Sequence, residues 1–311
     1  MIDTRDGIIG LAIGDAMGVP LEGMDRKILL NEPVTQMLGN LAHNVPVGAF
    51  SDDTSMTLAT IDAILEKGKI DTKEIAENFV NWRNYGIYSS TGLAFGIGNT
   101  TNEAIDRLAA GNMKPEKCGL KEEENNGNGS LMRMCPIIYY CYMKKMNSKK
   151  VLDVVTKVSS ITHANEVSIL ACFMYVMFGI ELLSQRDLYA AYQRIRTLNY
   201  SKFSEEALSK FERILVKDIR TLSIDDIKST GYVVDTLEAT LWVLFNTENY
   251  NQAVIGAINL GGDTDTIGAC TGALAGIEYR LERINPTWRE SLLKYDYIDN
   301  MCHAFNKMIN K

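Results

Sequence analysis

Apolar positions along this chain recur mostly three and four residues apart and almost never alternate one on, one off, which is helical spacing rather than strand spacing. Ile75, Phe79 and Trp82 form one such stripe, and Asp71 with Glu74 just before it has the form of a capping box. Asp52 marks the N-cap region of a helix running to about Lys67. Further helices are predicted over about 150–160, 164–183, 187–197, 204–217, 234–246, 250–259, 265–283 and 287–308, the last interrupted near Asp296. Alternating β-branched runs bounded by turns are nearly absent, so the pattern predicts an all-α protein.

One segment breaks the ordinary helical grammar. Residues 7–18 read Gly-Ile-Ile-Gly-Leu-Ala-Ile-Gly-Asp-Ala-Met-Gly. Glycine is costly inside a helix, so this run predicts close packing against a neighbour or a ligand. Two stretches read as loops. Residues 86–102 are rich in Gly, Ser, Thr and Asn, with Leu93, Phe95 and Ile97 packing the loop onto the body. Residues 119–130 pass from Glu122-Glu123-Glu124 into a Gly/Asn turn. No repeat of fixed period is present, and residues 1–311 are expected to form one domain.

Composition narrows the class. Of 311 residues, 46% are hydrophobic and 23% charged, a globular balance that needs no disulfide staples. The net charge of −7 argues against a general nucleic-acid binder, which would carry a basic footprint. The six cysteines form no C-x-x-C pair and several lie in apolar helical runs, as expected for free thiols in a reducing cytoplasm. The first residues carry acids ahead of the apolar run, unlike a signal peptide. Val167–Phe178, the most apolar stretch, is too short to span a bilayer and predicts a buried helix. A cytoplasmic monomer without membrane contact is the expectation.

The chemistry concentrates in two acid-rich turns separated by most of the chain, Ser51-Asp52-Asp53-Thr54 and Gly261-Gly262-Asp263-Thr264-Asp265-Thr266. Each precedes an apolar helical run. Helix capping accounts for one Asp or Thr at such a place, but not for four polar residues in succession. Gly261-Gly262 suits the left-handed end of the preceding helix, leaving Asp263 and Asp265 to converge from positions i and i+2. Four carboxylates in one small space need positive charge between them. With no Cys or neighbouring His, oxygen ligation points to hard divalent cations such as Mg²⁺ or Mn²⁺. A third segment, Gly127-Asn128-Gly129-Ser130-Leu131-Met132-Arg133, reads either as an ordinary turn or as a cradle of backbone N–H groups for a diphosphate.

These segments, with Gly10–Glu22, Phe50–Thr54, Ser90–Gly92, Gly98–Thr101, Thr162–Asn165, Gly231–Glu238 and Asn259–Thr266, resemble the ADP-ribosylglycohydrolase family nearly end to end. That family includes dinitrogenase-reductase-activating glycohydrolases and the animal ADP-ribosyl-acceptor hydrolases. The resemblance implies an all-helical fold and two Mg²⁺ or Mn²⁺ ions held by Ser51, Asp52, Asp53, Asp263, Asp265 and Thr266. It makes Glu22 the mobile glutamate beside the metals and Gly127, Asn128, Gly129 and Ser130 the phosphate loop. His163 falls near the ADP-ribose, and Tyr232 in the nucleotide pocket. Two positions depart from the family pattern. Ser51 replaces the usual Thr and keeps the hydroxyl. Gly96 stands where arginine-specific bacterial members often carry Asp, which removes a carboxylate near the leaving group.

The expected activity is hydrolysis of the bond between C1″ of ADP-ribose and an acceptor, with Asp52, Asp53 and Glu22 as the catalytic candidates. The acceptor is a protein side chain, arginine ahead of serine, or a small ADP-ribosylated molecule. A Mg²⁺-dependent prenyl-diphosphate enzyme is a rival, but its first Asp-rich motif needs another acid where Thr54, Ser55 and Met56 stand. A non-catalytic ADP-ribose-binding relative is the other, and it should have lost metal ligands that this chain keeps.

Overall fold

The computed structural model describes residues 2–310. Sixteen α-helices follow one another: α1 Thr4–Gly18, α2 Arg26–Asn31, α3 Asp52–Lys67, α4 Thr72–Tyr85, α5 Asn99–Ala110, α6 Cys135–Met143, α7 Ser148–Ser159, α8 Glu166–Gln185, α9 Leu188–Arg196, α10 Glu205–Ser209, α11 Glu212–Leu215, α12 Val233–Phe245, α13 Tyr250–Ile258, α14 Thr264–Tyr279, α15 Pro286–Ser291 and α16 Tyr295–Ile309. Among the described residues there is no strand, only isolated bridges from Leu120 to His163 and from Gly127 to Tyr232. The all-α expectation holds.

The glycine run of α1 finds its explanation in α14. The two helices lie antiparallel with their backbones in contact. A Cβ on Gly10 would overlap the carbonyl oxygen of Gly272, one on Gly14 that of Gly268, and one on Gly18 that of Thr264. The relation is reciprocal, because a Cβ on Gly268, Gly272 or Gly276 would overlap the carbonyl of Gly14, Gly10 or Asp6. Side chains would hold the axes 8–10 Å apart; glycine at every fourth position removes that spacer. The intrinsic helix penalty of these glycines is offset by the packing they permit. Tyr250 adds a tie, its hydroxyl donating to the Gly10 carbonyl at 2.7 Å.

Around this pair the helices sort by burial. α1, α14 and α8 are buried over most of their surface, whereas α4, α5, α7 and α16 bury one face. One apolar cluster runs from Ile8 to Ile309 without interruption. α8 has the expected length, displaced by two residues from the 164–183 pattern. An 18-residue stretch of it has mean hydropathy 2.0, long and apolar enough to cross a membrane, yet 78% of that stretch is buried inside the protein. It is the core helix that the 164–183 pattern predicts. All six cysteines are free and buried.

Several predicted boundaries shift. Residues 99–102, expected to end a loop, instead open helix α5; the helix hides its start behind Gly98, which caps without a side chain. The 204–217 segment breaks into α10 and α11, and 265–283 ends at Tyr279, where Arg280 takes a positive φ of 72°. The last interruption lies at Leu292–Lys294, just before Asp296. Asp71 caps α4 by accepting from Lys73 and Glu74 N–H.

The α1–α14 contact generates a prediction. Gly14→Ala or Gly272→Ala forces a methyl group into a carbonyl, and overpacking of this kind costs about 1–3 kcal/mol. Thermal unfolding should show Tm lowered by several degrees for either variant. An unchanged Tm would mean the helices can separate freely.

Candidate active site

The start of α14 faces the start of α3 across the end of α1, so both acid-rich turns open onto one cavity of about 550 Å³. Gly261 and Gly262 both take positive φ, 71° and 70°, as the turn after α13 requires. Gly262 is paired in both directions with the segment after α1: Gly23 N–H donates to its carbonyl at 2.8 Å and its own N–H donates to Met24 O at 3.0 Å. This pairing lays Glu22 beside the turn. Asp263 heads α14 but does not cap it. Its carboxylate instead accepts from Asn128 Nδ2 at 2.6 Å. Capping therefore does not explain this acid.

Asp15, in the last turn of α1, organises the first turn of α3. Its carboxylate accepts from Ser51 N–H at 3.0 and 3.1 Å, Ser51 Oγ at 2.9 Å, Thr54 N–H at 3.0 Å and Thr54 Oγ1 at 2.6 Å. Sequence reasoning missed this residue, although a lone Asp inside an apolar, glycine-rich helix was a usable signal. Ser51 is the N-cap of α3, its Oγ 3.0 Å from Asp53 Oδ2 and 3.4 Å from the Asp53 N–H. Thr266 Oγ1 donates to the same Asp53 oxygen at 3.4 Å. The other oxygen, Asp53 Oδ1, is buried and has no hydrogen-bond partner among the described residues.

Electrostatics make the cluster costly. Asp15, Asp53 and Asp265 each bring one oxygen within 4.8 Å of the others. Burial is the first cause that raises the Asp15 pKa, to about 6. Asp52, Asp53 and Asp265 are pushed well above the usual carboxylate range, first by burial and then by the charge of neighbouring acids. An unpartnered buried carboxylate oxygen among crowded acids is the environment a hard divalent cation satisfies, with oxygen donors only. The residues present fit such an ion. Asp15, with both oxygens committed to α3, acts by holding Ser51 and Thr54 in place.

Of the residues expected at the site, Glu22, Asp52, Asp263, Asp265, Thr266, Gly127, Asn128, Gly129 and His163 line the cavity. Ser51 and Asp53 are buried, outside the cavity lining, and bonded to one another. Ser130 is fully buried, with its hydroxyl turned into the core against Ser159 at 3.0 Å and Cys172 at 3.3 Å. Only its backbone is turned to the loop: the N–H groups of Gly129 and Ser130 enter no backbone hydrogen bond among the described residues. Tyr232 is half-buried and absent from the cavity wall; its neighbours Gly231 and Val233 pair with Asn128 and Asn126 and hold the loop's shape. Asn128 also donates to Thr236 Oγ1 at 2.9 Å, tying loop, α12 and Asp263 together.

Two further residues emerge from the geometry. His43 contacts the Glu22 carboxylate through Nε2 and leans on Phe95 with ring centroids 5.4 Å apart. Its loop has no periodicity, so only structure could reveal it. Gly96 takes a φ of 81°, and a Cβ there would stand 2.6 Å from Asp52 Oδ1. The backbone passes close to Asp52 where a side chain would otherwise project.

Comparison with known proteins agrees with this geometry. The family profile for ADP-ribosylglycohydrolase matches residues 4–311. The chain is 30% identical to the ADP-ribosylarginine hydrolase Tri1 of Serratia proteamaculans, over 96% of this chain and 77% of that protein. It is 28% identical to the ADP-ribosyl-[dinitrogen reductase] glycohydrolase of Rhodospirillum rubrum, over 91% and 88%. A solved structure, an ADP-ribosylglycohydrolase-related protein complex, superposes with a TM-score of 0.81 at 27% identity, covering 99% of this chain and 98% of its own. A helical body that closes two distant acid-rich turns on one cavity, matched along almost its whole length, places the chain in the ADP-ribosylglycohydrolase family of hydrolases.

Proposed function

We propose that the protein hydrolyses the glycosidic bond between C1″ of ADP-ribose and an acceptor, with arginine-linked ADP-ribose as the preferred substrate. One observation carries this reading: Asp52, Asp263 and Asp265 line the same cavity as Gly127, Asn128 and Gly129. The carboxylate end suits the distal ribose and the loop suits the diphosphate, through the N–H groups of Gly129 and Ser130. The name of the Serratia relative supports arginine as acceptor.

We further propose that two Mg²⁺ or Mn²⁺ ions belong here, held by Ser51, Asp52, Asp53, Asp263, Asp265 and Thr266. Bound divalent cations would supply charge neutralisation, a grip on a vicinal diol and a lowered pKa for water. The chain's own residues do the rest. Asp52, facing the cavity, orients the attacking water and takes its proton. As the bond to the acceptor breaks, positive charge on the ribose ring is stabilised by the surrounding carboxylates. Glu22, paired with His43, carries a proton to the leaving group.

The direct test is release of ADP-ribose from arginine-linked and serine-linked substrates, with and without EDTA. Arginine-linked substrate should be cleaved faster, EDTA should abolish cleavage, and Mg²⁺ or Mn²⁺ should restore it. Absence of release from every ADP-ribosylated substrate would refute the activity.

Calorimetric titration separates ligands from supports. Asp265→Asn should remove Mn²⁺ binding altogether. Asp15→Asn, which loosens Ser51 and Thr54, should weaken it by about 10–100-fold, as loss of an outer-shell partner does. Equal affinity in the Asp265 variant would overturn its place as a ligand.

Stability should follow the raised carboxyl pKa values. A group whose folded-state pKa lies above its unfolded value near 3.9 favours the fold below that value and loses the advantage as pH rises through the folded-state pKa. For Asp15 that window runs from the unfolded value up to about 6, and for Asp52, Asp53 and Asp265 it extends higher. Ionised carboxylates destabilise the metal-free protein and also bind cations best. The fall in Tm on adding EDTA should therefore be larger at pH 8 than at pH 5; the opposite order in calorimetric scans would contradict the cluster's role.

A further inference from the structure

We propose that Arg133 and Thr162 are positioning residues that fix His163 in one tautomer, presenting its Nε2–H to the cavity as a permanent hydrogen-bond donor. The argument starts from Arg133, which is completely buried without a carboxylate partner. Its Nε donates to Gly129 O at 3.2 Å, its Nη1 and Nη2 donate to Val158 O at 3.3 Å, and its guanidinium lies 4.7 Å over the Phe79 ring. Its remaining bond runs from Nη2 to Thr162 Oγ1 at 2.8 Å. Thr162 Oγ1 lies 2.9 Å from His163 Nδ1.

Donor and acceptor bookkeeping then leaves one assignment. A guanidinium only donates, so the Thr162 oxygen accepts from Arg133. The hydroxyl has one hydrogen, and the one acceptor it reaches is His163 Nδ1. Were Nδ1 protonated, the buried hydroxyl hydrogen would have no partner, which buried polar groups avoid. The imidazole proton therefore resides on Nε2. The chain Arg133 to Thr162 to His163 runs in one direction, each bond polarising the next and strengthening the final donor.

Nε2 is aimed where a ligand passes. His163 lines the cavity although it is almost wholly buried, and its Nε2 has no hydrogen-bond partner among the described residues. Gly127 and Gly129 face it: a Cβ on either would stand 3.5 Å from Nε2, and one on Gly129 would press to 2.9 Å from Cε1. The glycines keep the donor's approach clear. Burial, and then the charge of Arg133, lower the His163 pKa to about 3, so the ring stays neutral at neutral pH. The complementary ligand group is an acceptor oxygen. Under the reading given above, on which this last point rests, it is an oxygen of the ADP-ribose diphosphate held at the Gly129–Ser130 turn.

The test uses long-range ¹H–¹⁵N correlation NMR of the ¹⁵N-histidine-labelled full chain at pH 7, with His163→Gln identifying the His163 signals among the three histidines. The free protein should show a bare Nδ1 and a protonated Nε2. Thr162→Val, which keeps the shape and removes the hydroxyl, should lose that single pattern, and Thr162→Ser should retain it. In calorimetry with ADP-ribose and Mg²⁺, Thr162→Val should bind about 10-fold more weakly, as loss of a supporting hydrogen bond commonly does, while Thr162→Ser should match the wild type. A protonated Nδ1 in the wild type, or a Thr162→Val spectrum identical to it, would overturn the proposal. If the wild type shows the Nε2–H pattern but binds no ADP-ribose, the tautomer assignment is upheld and the ADP-ribose reading falls.

Discussion

Backbone contact between α1 and α14 is the constraint on which the site depends. The helices come from opposite ends of the chain and can touch only because six glycines, three on each, remove the side chains that would hold them apart. The contact is directional. It runs from Asp6 beside Gly276 to Gly18 beside Thr264, and it stops where the chemistry begins. Asp15 on one helix and Asp265 on the other are thereby brought to a common centre, with Asp53 delivered by α3. A spacing wider by one side-chain layer would pull these oxygens apart. Helix packing and site geometry are thus the same fact seen at two ends of one interface.

The rest of the fold works to hold an unfavourable cluster in place. Buried carboxylates at such close range repel and resist ionisation, so nothing in the cluster itself draws it together. The restraining interactions lie around it: Asp15 accepting from two backbone N–H groups and two hydroxyls of α3, and Asn128 donating to Asp263. Sites that keep electrostatic strain for function commonly give up stability there. In this molecule the strain is offset by a single apolar core that spans the chain.

The two acid-rich turns were legible in the sequence because a run of four polar residues exceeds what capping can use. Their convergence, the left-handed Gly261-Gly262 turn and the buried character of α8 followed from the same reading. Other features lay outside what local pattern carries. Asp15 sits singly in an apolar helix, which marks it out but announces neither its partners nor its direction. α5 begins behind a glycine cap in a stretch whose composition matches a loop, so its first turn carried no start signal. The segment from 204 to 217 has helical periodicity but folds as two short helices joined at Lys210–Phe211. Ser130 illustrates a further limit: spacing placed it in the loop, but the direction of its hydroxyl, inward to Ser159, depends on helices α7 and α8 packing beneath.

The Gly127–Arg133 segment joins these threads, because a single stretch reaches both the second acid-rich turn and His163. Asn128 reaches forward to Asp263, the N–H groups of Gly129 and Ser130 stay free, and Arg133 reaches back through Thr162 to His163. Small residues at 127 and 129 are required twice over, by the imidazole that faces them and by any ligand that approaches the turn. A shift of this loop would therefore disturb Asp263 and His163 together. Because Asn128 N–H is fastened to Gly231 O and Val233 N–H to Asn126 O, the loop is anchored to the start of α12 and has little freedom to make that shift. Asp263 and His163 are then held in fixed relation before any ligand arrives, which is the preorganisation that reaction of a bound substrate needs.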